Sequence, residues 1–213
     1  MSTTHPSKPV VQGSSVGPGR RRRVGVLAVA IALASLSGCT GVPDGVQPVR
    51  DFDAARYAGT WYSIARLDHS FERDLTHVSA TYSARPDGRV GVVNRGLDPR
   101  DCRWRSIEGT ARFLGARDVG SLGVSFFGPF TGGYHVIALD PDGYRWAMVS
   151  GPTRDYLWIL ARTPTLDAAI RERLVAQAAQ AGFPVGELTG VEQGLPARCA
   201  DGREAPPVPA GGD

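Results

Sequence analysis

The feature that most constrains this chain is a run of eight short segments, each alternating apolar and polar residues, between Trp61 and Arg162. A period of two puts successive side chains on opposite faces of a strand, so each segment has one face to bury and one to leave outside. Pro86-Asp87-Gly88 and Pro141-Asp142-Gly143 supply the turn chemistry that joins antiparallel neighbours. Eight segments at hairpin spacing predict an all-β domain, either a sandwich or an up-and-down barrel.

The first segment separates inside from outside. In Gly59-Thr60-Trp61-Tyr62, Gly59 permits a tight turn into the strand and Trp61 is a bulky first inward residue. At strand period Trp61, Ser63, Ala65 and Leu67 share one face, with Tyr62, Ile64 and Arg66 on the other. A large residue at the bottom and small ones above suit an enclosure with a plugged floor. Arg162 closes the last segment, 156–162, where its guanidinium can lie on the Trp61 indole.

The same parity puts Val78, Ala80, Tyr82, Val92, Asn94, Gly109, Ala111, Val124, Phe126, Tyr134, Val136, Trp158 and Leu160 inside with Ser63 and Ala65. This set is mostly apolar, rich in small residues and uncharged. It predicts a cavity for one small amphipathic lipid, such as a fatty acid or a lysophospholipid. Asn94 and the hydroxyls of Tyr82 and Tyr134 are the candidates to orient its polar part. The alternative is that these side chains fill the interior as a solid core. Trp146 and Met148 fit either the interior or a helix-facing side.

Residues 53–57 read as one helical turn that caps the bottom of a barrel. After the last strand, Leu166, Ile170, Leu174 and Ala178 recur every four residues on a single stripe. Thr165 is the expected N-cap, Asp167 falls in the first turn and Gly182 closes the end. A helix with one apolar stripe packs outside a sheet. Residues 188–191 add a short edge strand.

Charge separates the leader from the rest. The chain holds 24 Lys and Arg against 21 Asp and Glu, but residues 1–38 contain Lys8, Arg20, Arg21, Arg22 and Arg23 and no acid. Without those five, 19 basic residues face 21 acidic ones, a net charge of −2. The basic balance therefore belongs to the leader and argues against nucleic acid as a partner. The apolar run 24–36 after the arginines is too short for a permanent membrane span and has the order of a signal peptide. Leu36-Ser37-Gly38-Cys39 resembles the lipobox of bacterial lipoproteins, which implies cleavage before Cys39 and acylation of its sulfur. Such an anchor would hold the protein at the membrane of a bacterial cell envelope, outside the cytoplasm. The run of arginines leaves both the general and the twin-arginine export routes open. The expected organisation is a signal peptide over 1–38, a flexible tether over 39–50, a barrel domain over 51–194 and a loose Pro- and Gly-rich tail over 195–213.

With Cys39 assigned to the lipid, Cys102 and Cys199 remain as an even pair in an oxidising compartment. A bridge between them or two free thiols are both compatible with the residues alone.

The stretches Gly59-Thr60-Trp61-Tyr62, Phe126-Phe127-Gly128-Pro129-Phe130, Gly132-Gly133-Tyr134 and Asp155-Tyr156-Leu157-Trp158-Ile159-Leu160-Ala161-Arg162 together resemble the lipocalins, the bacterial lipocalin lipoproteins above all. The resemblance runs from Asp53 to Gln193. It implies an eight-stranded antiparallel up-and-down barrel with one mouth, one closed end and a C-terminal helix alongside. It also implies that Gly59, Trp61 and Arg162 are structural, that Asp140 is the acidic residue of a second motif, and that a Cys102–Cys199 bridge ties the tail to a strand. Pro141 and the longer turn depart from the usual pattern after that acid.

Other functional classes have less to support them. His69, His77 and His135 follow no metal-ligand spacing and read as surface or interface residues, so no metal or cofactor is expected. An enzyme would need an acid, base or nucleophile inside, and the inward set contains no His, Cys, Asp or Glu. The third class is an envelope interaction protein that uses the barrel as a scaffold. There Arg100, Arg103 and Arg105 would meet phospholipid headgroups, or Phe126, Phe127 and Phe130 would meet a membrane or a second protomer in a homodimer.

Overall fold

A computed structural model describes Met1 and residues 40–209. Its strands are β1 (Gly59–Arg66), β2 (Thr76–Ala84), β3 (Val90–Asp98), β4 (Arg103–Phe113), β5 (Ser121–Phe127), β6 (Phe130–Leu139), β7 (Trp146–Ser150), β8 (Leu157–Ala161) and the short β9 (Thr189–Gly190). From β1 to β8 each strand pairs antiparallel with the next, and β1 pairs with both β8 and β2, which closes the eight-stranded barrel. Above that closure β1 leaves β2 and takes β9 as its neighbour. Gln193 spans the gap, its amide nitrogen donating to the carbonyls of Ser63 and Val78 at 2.9 and 2.8 Å.

The strands divide the apolar residues into two cores. Inside the barrel, Trp61, Tyr82, Val92, Ala111, Val136, Val149 and Leu160 pack with Phe52 and Tyr57 from the floor. Outside it, Ile159, Met148, Trp146 and Leu157 pack against Leu174 and Ala178 of α2 (Ala168–Gln180). Trp146 and Met148 thus belong to the helix side. The cap of α2 is Asp167 rather than Thr165: its carboxylate accepts from the Ile170 amide at 3.1 Å. Gly182 ends the helix at a φ of +80°, a conformation that suits glycine.

The floor is built around Trp61. α1 (Ala54–Tyr57) crosses below it, capped by Asp53, and the Trp61 indole donates to the Tyr57 carbonyl at 2.8 Å. The Arg162 guanidinium lies over the indole ring at 4.0 Å and donates to the carbonyls of Tyr144, Thr60 and Arg56. Gly59 has a φ of +96°, and a Cβ there would stand 3.2 Å from Arg162 Nη1. Asp140 receives Arg145 Nε at 2.6 Å and closes the neighbouring turn. That contact holds its carboxyl below the usual carboxylate range.

Both termini of the domain are packed where composition suggested slack. Residues 40–50 run down the outside of the barrel, with Val46 buried in the helix-side core and Val49 bonded to Val136 and Gly120. His135 on β6 lies beneath them, accepting from Ser121 and donating to the Gly41 carbonyl at 2.8 Å. Burial lowers the affinity of its ring for a proton. At the other terminus Cys102 and Cys199 form a disulfide with Cα atoms 5.2 Å apart. The tail folds back over β3 and β4, burying Ala197 and Cys199, and Trp104 donates to the Pro206 carbonyl. His77 lies under it, donating to Gly194. His69, His77 and His135 are therefore all buried, not on the surface. Cys39 and the expected signal peptide lie outside the described residues.

Candidate functional site in the barrel interior

The interior differs from the strict parity reading at one point with large consequences. The register of β1 against β8 shifts between Ser63 and Ala65: Ser63 faces Leu160, Ala65 faces Ile159 and Arg66 faces Trp158. Cross-strand partners share a face, and a bulge turns every later side chain to the opposite one. Ser63 stays inside with Leu160, whereas Ala65 and Leu67 join the helix-side core. Arg66, expected outside, enters the mouth of the barrel beside Trp158 and is 4% exposed. A second shift on β6, between Val136 and Ala138, likewise sends both Ile137 and Ala138 outward.

The loop between β1 and β2 completes the mouth. Arg66 Nη2 donates to the Glu72 carbonyl at 2.6 Å, and the Trp158 indole donates to Glu72 Oε2 at 3.2 Å. Around the same carboxylate oxygen stand Arg66 Nε at 3.6 Å and His69 Nε2 at 3.7 Å. The His69 ring stacks on Phe71, with centroids 3.9 Å apart. Arg66, His69 and Glu72 are all buried. Burial pushes the Glu72 carboxyl up, against the opposing pull of Trp158 and Arg66. Burial, then the Arg66 charge, bring His69 down to about 4, so its ring is neutral at pH 7. The mouth thus holds a His and a Glu supplied by the loop, in addition to the inward strand positions, which carry neither.

Several buried polar atoms here have no hydrogen-bond partner among the described residues: Arg66 Nε, both ring nitrogens of His69, Ser63 Oγ and Asn94 Oδ1. Groups of this kind cost free energy when left unpaired and recur at binding sites. Deeper down the polar groups satisfy one another. The Tyr82 hydroxyl donates to that of Tyr134 at 2.8 Å, and Tyr134 and Tyr57 share a bond of 2.7 Å. Burial raises all three phenols, which stay neutral. The two tyrosines expected to face a guest are tied to each other and to a third.

Volume is the second departure. A cavity of about 20 Å³ lies among Phe52, Tyr57, Tyr82, Ala111, Leu122 and Tyr134, room for about one water molecule. Space that Gly109 was expected to leave is taken by Phe126, whose ring carbon would be 2.6 Å from an added Cβ. Ala80, Val92, Val124, Val136 and Trp158 line the interior as parity indicates. Val78 is buried instead under the mouth loop, near Leu75 and Gly96. At the level of this cavity side chains fill most of the space that the small residues suggested would be open.

Outside the mouth, Phe71, Phe127 and Phe130 are exposed. Arg100 is paired with Asp98 and Asp74, and Arg105 with Asp98 and Asp101. Two of the three arginines considered for headgroup contact are therefore engaged with carboxylates. Among the described residues no group of three or more His, Cys, Asp or Glu has the geometry to hold a metal ion.

Comparison with known proteins agrees with this architecture. Residues 52–193 match a lipocalin-like domain. The outer membrane lipoprotein Blc of Escherichia coli K12 is 49% identical over 174 residues, covering 81% of this chain and 98% of that protein. The Blc protein of Vibrio cholerae is 46% identical, covering 74% of this chain and 92% of the relative. Among solved structures, insecticyanin from Manduca sexta superposes with a TM-score of 0.58 at 20% identity, covering 76% of this chain and 92% of that one. A closed eight-stranded barrel with a tryptophan–arginine floor, matched along two thirds of its length by a family domain, assigns this chain to the lipocalin family.

Proposed function

We propose that the protein is a membrane-anchored lipoprotein of the bacterial envelope that carries, stores or scavenges small amphipathic lipids within its barrel. Acylation of Cys39 supplies the anchor, as the lipobox-like Leu36-Ser37-Gly38-Cys39 and the naming of its relatives as outer membrane lipoproteins both support. The observation that carries the reading is the division of the interior. Apolar side chains line most of its length, and the buried Arg66 and His69 at the mouth hold guanidinium and ring nitrogens without partners among the described residues. An amphiphile has that same order, an acyl chain behind a polar head. Each Å² of apolar surface it buries contributes about 25 cal/mol.

Binding in this reading is reversible and involves no covalent step or cofactor. Ser63, Ala80, Tyr82, Val92, Asn94, Val124, Phe126, Tyr134, Val136 and Trp158 form the wall against which the guest packs, with Val78 beneath the loop. Ala65 is left out, since it faces the helix. Because the cavity beside Tyr57, Tyr82 and Tyr134 has room for about one water molecule, uptake of an acyl chain there requires lining side chains to move. Titration of the purified mature chain with a fluorescent fatty acid is the test. Saturable binding at one site per chain is expected, with lipid recovered by mass spectrometry from protein purified out of its native membrane. Failure of both fatty acids and lysophospholipids to bind would remove the proposal.

A further inference from the structure

We infer that Glu72 is a built-in stand-in for the headgroup of the guest, and that the site selects amphiphiles with an anionic oxygen headgroup, a carboxylate or a phosphate monoester. This rests on the carrier reading above and adds to it the chemistry of the head. The bulge in β1 brings Arg66 into an interior that is otherwise uncharged along its strands, a position that needs a compensating anion. Glu72 supplies one, but imperfectly. Of the donors around Oε2, only Trp158 is within bonding distance at 3.2 Å, while Arg66 Nε and His69 Nε2 stand off at 3.6 and 3.7 Å. Both of those nitrogens are buried and lack a hydrogen-bond partner.

The carboxylate comes from a loop, not from the barrel wall. Arg66 and Trp158 lie on paired strands and face each other across the register. Glu72 sits in the 68–75 connection, which these contacts and the Arg66 bond to its carbonyl hold to the wall together with the Asp74–Arg100 pair and the packing of Leu75 beside Gly96. A guest's anionic head can therefore take the place of Glu72 between Arg66 and Trp158 while the loop swings aside. A guanidinium is the side chain best suited to receive either a carboxylate or a phosphate. Exchange of one anion for another keeps the buried charge paired throughout. An uncharged head would displace Glu72 and leave Arg66 without an anion, which disfavours it. The loop is in this way both lid and competitor.

The experiment measures binding of laurate, dodecyl phosphate and 1-dodecanol to the mature chain, so that the tail is constant and only the head changes. Glu72→Gln removes the competing charge and is expected to tighten laurate, dodecyl phosphate or both by about tenfold, with 1-dodecanol changed less than twofold. Whichever anion gains more identifies the source, fatty acid or phosphate ester. Arg66→Gln combined with Glu72→Gln leaves a neutral pair that can fold without a buried lone charge. It should bind the acid and the alcohol alike. The inference is overturned if Glu72→Gln shifts all three ligands equally, or shifts none while 1-dodecanol still binds; the carrier reading then stands. If no ligand binds wild type or either folded variant, both fall together.

Discussion

The guanidinium of Arg162 and the indole of Trp61 stack at 4.0 Å across more than one hundred residues of sequence. The same guanidinium donates to three backbone carbonyls, those of Tyr144, Thr60 and Arg56. One side chain therefore joins β1, α1, the β6–β7 turn and the end of β8, and holds the floor shut.

Replacing Arg162 by Ala should cost about 2 to 4 kcal/mol, the loss of a cation–π contact together with charge-assisted bonds whose acceptors are left behind. Replacement by Lys should recover only part of that, because an ammonium cannot reach three carbonyls and cover a ring at once. Urea unfolding followed by Trp fluorescence measures both variants. Equal stability of wild type and Arg162→Ala would contradict the role assigned to the floor.

Gly109→Ala tests how full the barrel is. The added carbon would meet Phe126 at 2.6 Å and the Ser125 carbonyl at 2.7 Å. We expect a loss of about 1 to 3 kcal/mol by overpacking. If the variant is as stable as wild type, the Phe126 ring does not occupy this space in solution.

The mouth cluster gives stability a dependence on pH whose sign follows from burial. His69 falls from an ordinary 6.5 to about 4 in the folded chain. Between those values the unfolded chain binds the proton and the folded one does not, so stability is lost as pH falls from 6.5 towards 4. Glu72, raised by burial, acts oppositely: it favours the fold at low pH and that contribution fades as pH rises through its elevated value. His69→Gln isolates the first effect. Between pH 7 and pH 4 wild type should lose more stability than the variant, by up to about 3 kcal/mol. Parallel curves would place the His69 ring in water.

Removal of the Cys102–Cys199 bridge, by Ser at both positions, should lower stability by up to about 4 to 5 kcal/mol given the 97-residue separation. It should also raise hydrogen exchange in the tail and at the Trp104 indole, which donates to Pro206. A thermal midpoint unchanged by reductant would mean that packing alone holds the tail.

Strand number and the outer helix were legible in the chain because each rests on a local or periodic rule, and the floor pair because Trp61 opens the first segment and Arg162 closes the last. Alternation at period two marks a strand wherever it occurs, and Leu174 and Ala178 mark the buried stripe of a helix whatever they pack against. The Cys102–Cys199 pairing needed a family resemblance as well, since parity of count does not fix connectivity.

Period two also explains the main failure. It holds only while the ladder is regular, and the bulge before Ala65 is set by how β1 meets β8, two segments about one hundred residues apart. One irregularity moved Ala65 and Leu67 out, brought Arg66 in and so created the charged mouth with His69 and Glu72. Docking of the terminal segments onto the barrel through Val46, Ala197 and Cys199 was invisible for a related reason, because polar composition says how a segment behaves in water and not what it packs against.

The order of amino acids by itself determined eight strands at hairpin spacing and a helix with one buried stripe, since hydrophobic alternation and turn residues act over a few positions; closure into a barrel was implied by the family resemblance. Only the tertiary structure decided which atoms face the interior and how much of it is filled. Strand register and side-chain packing arise between distant residues, and no local pattern carries them.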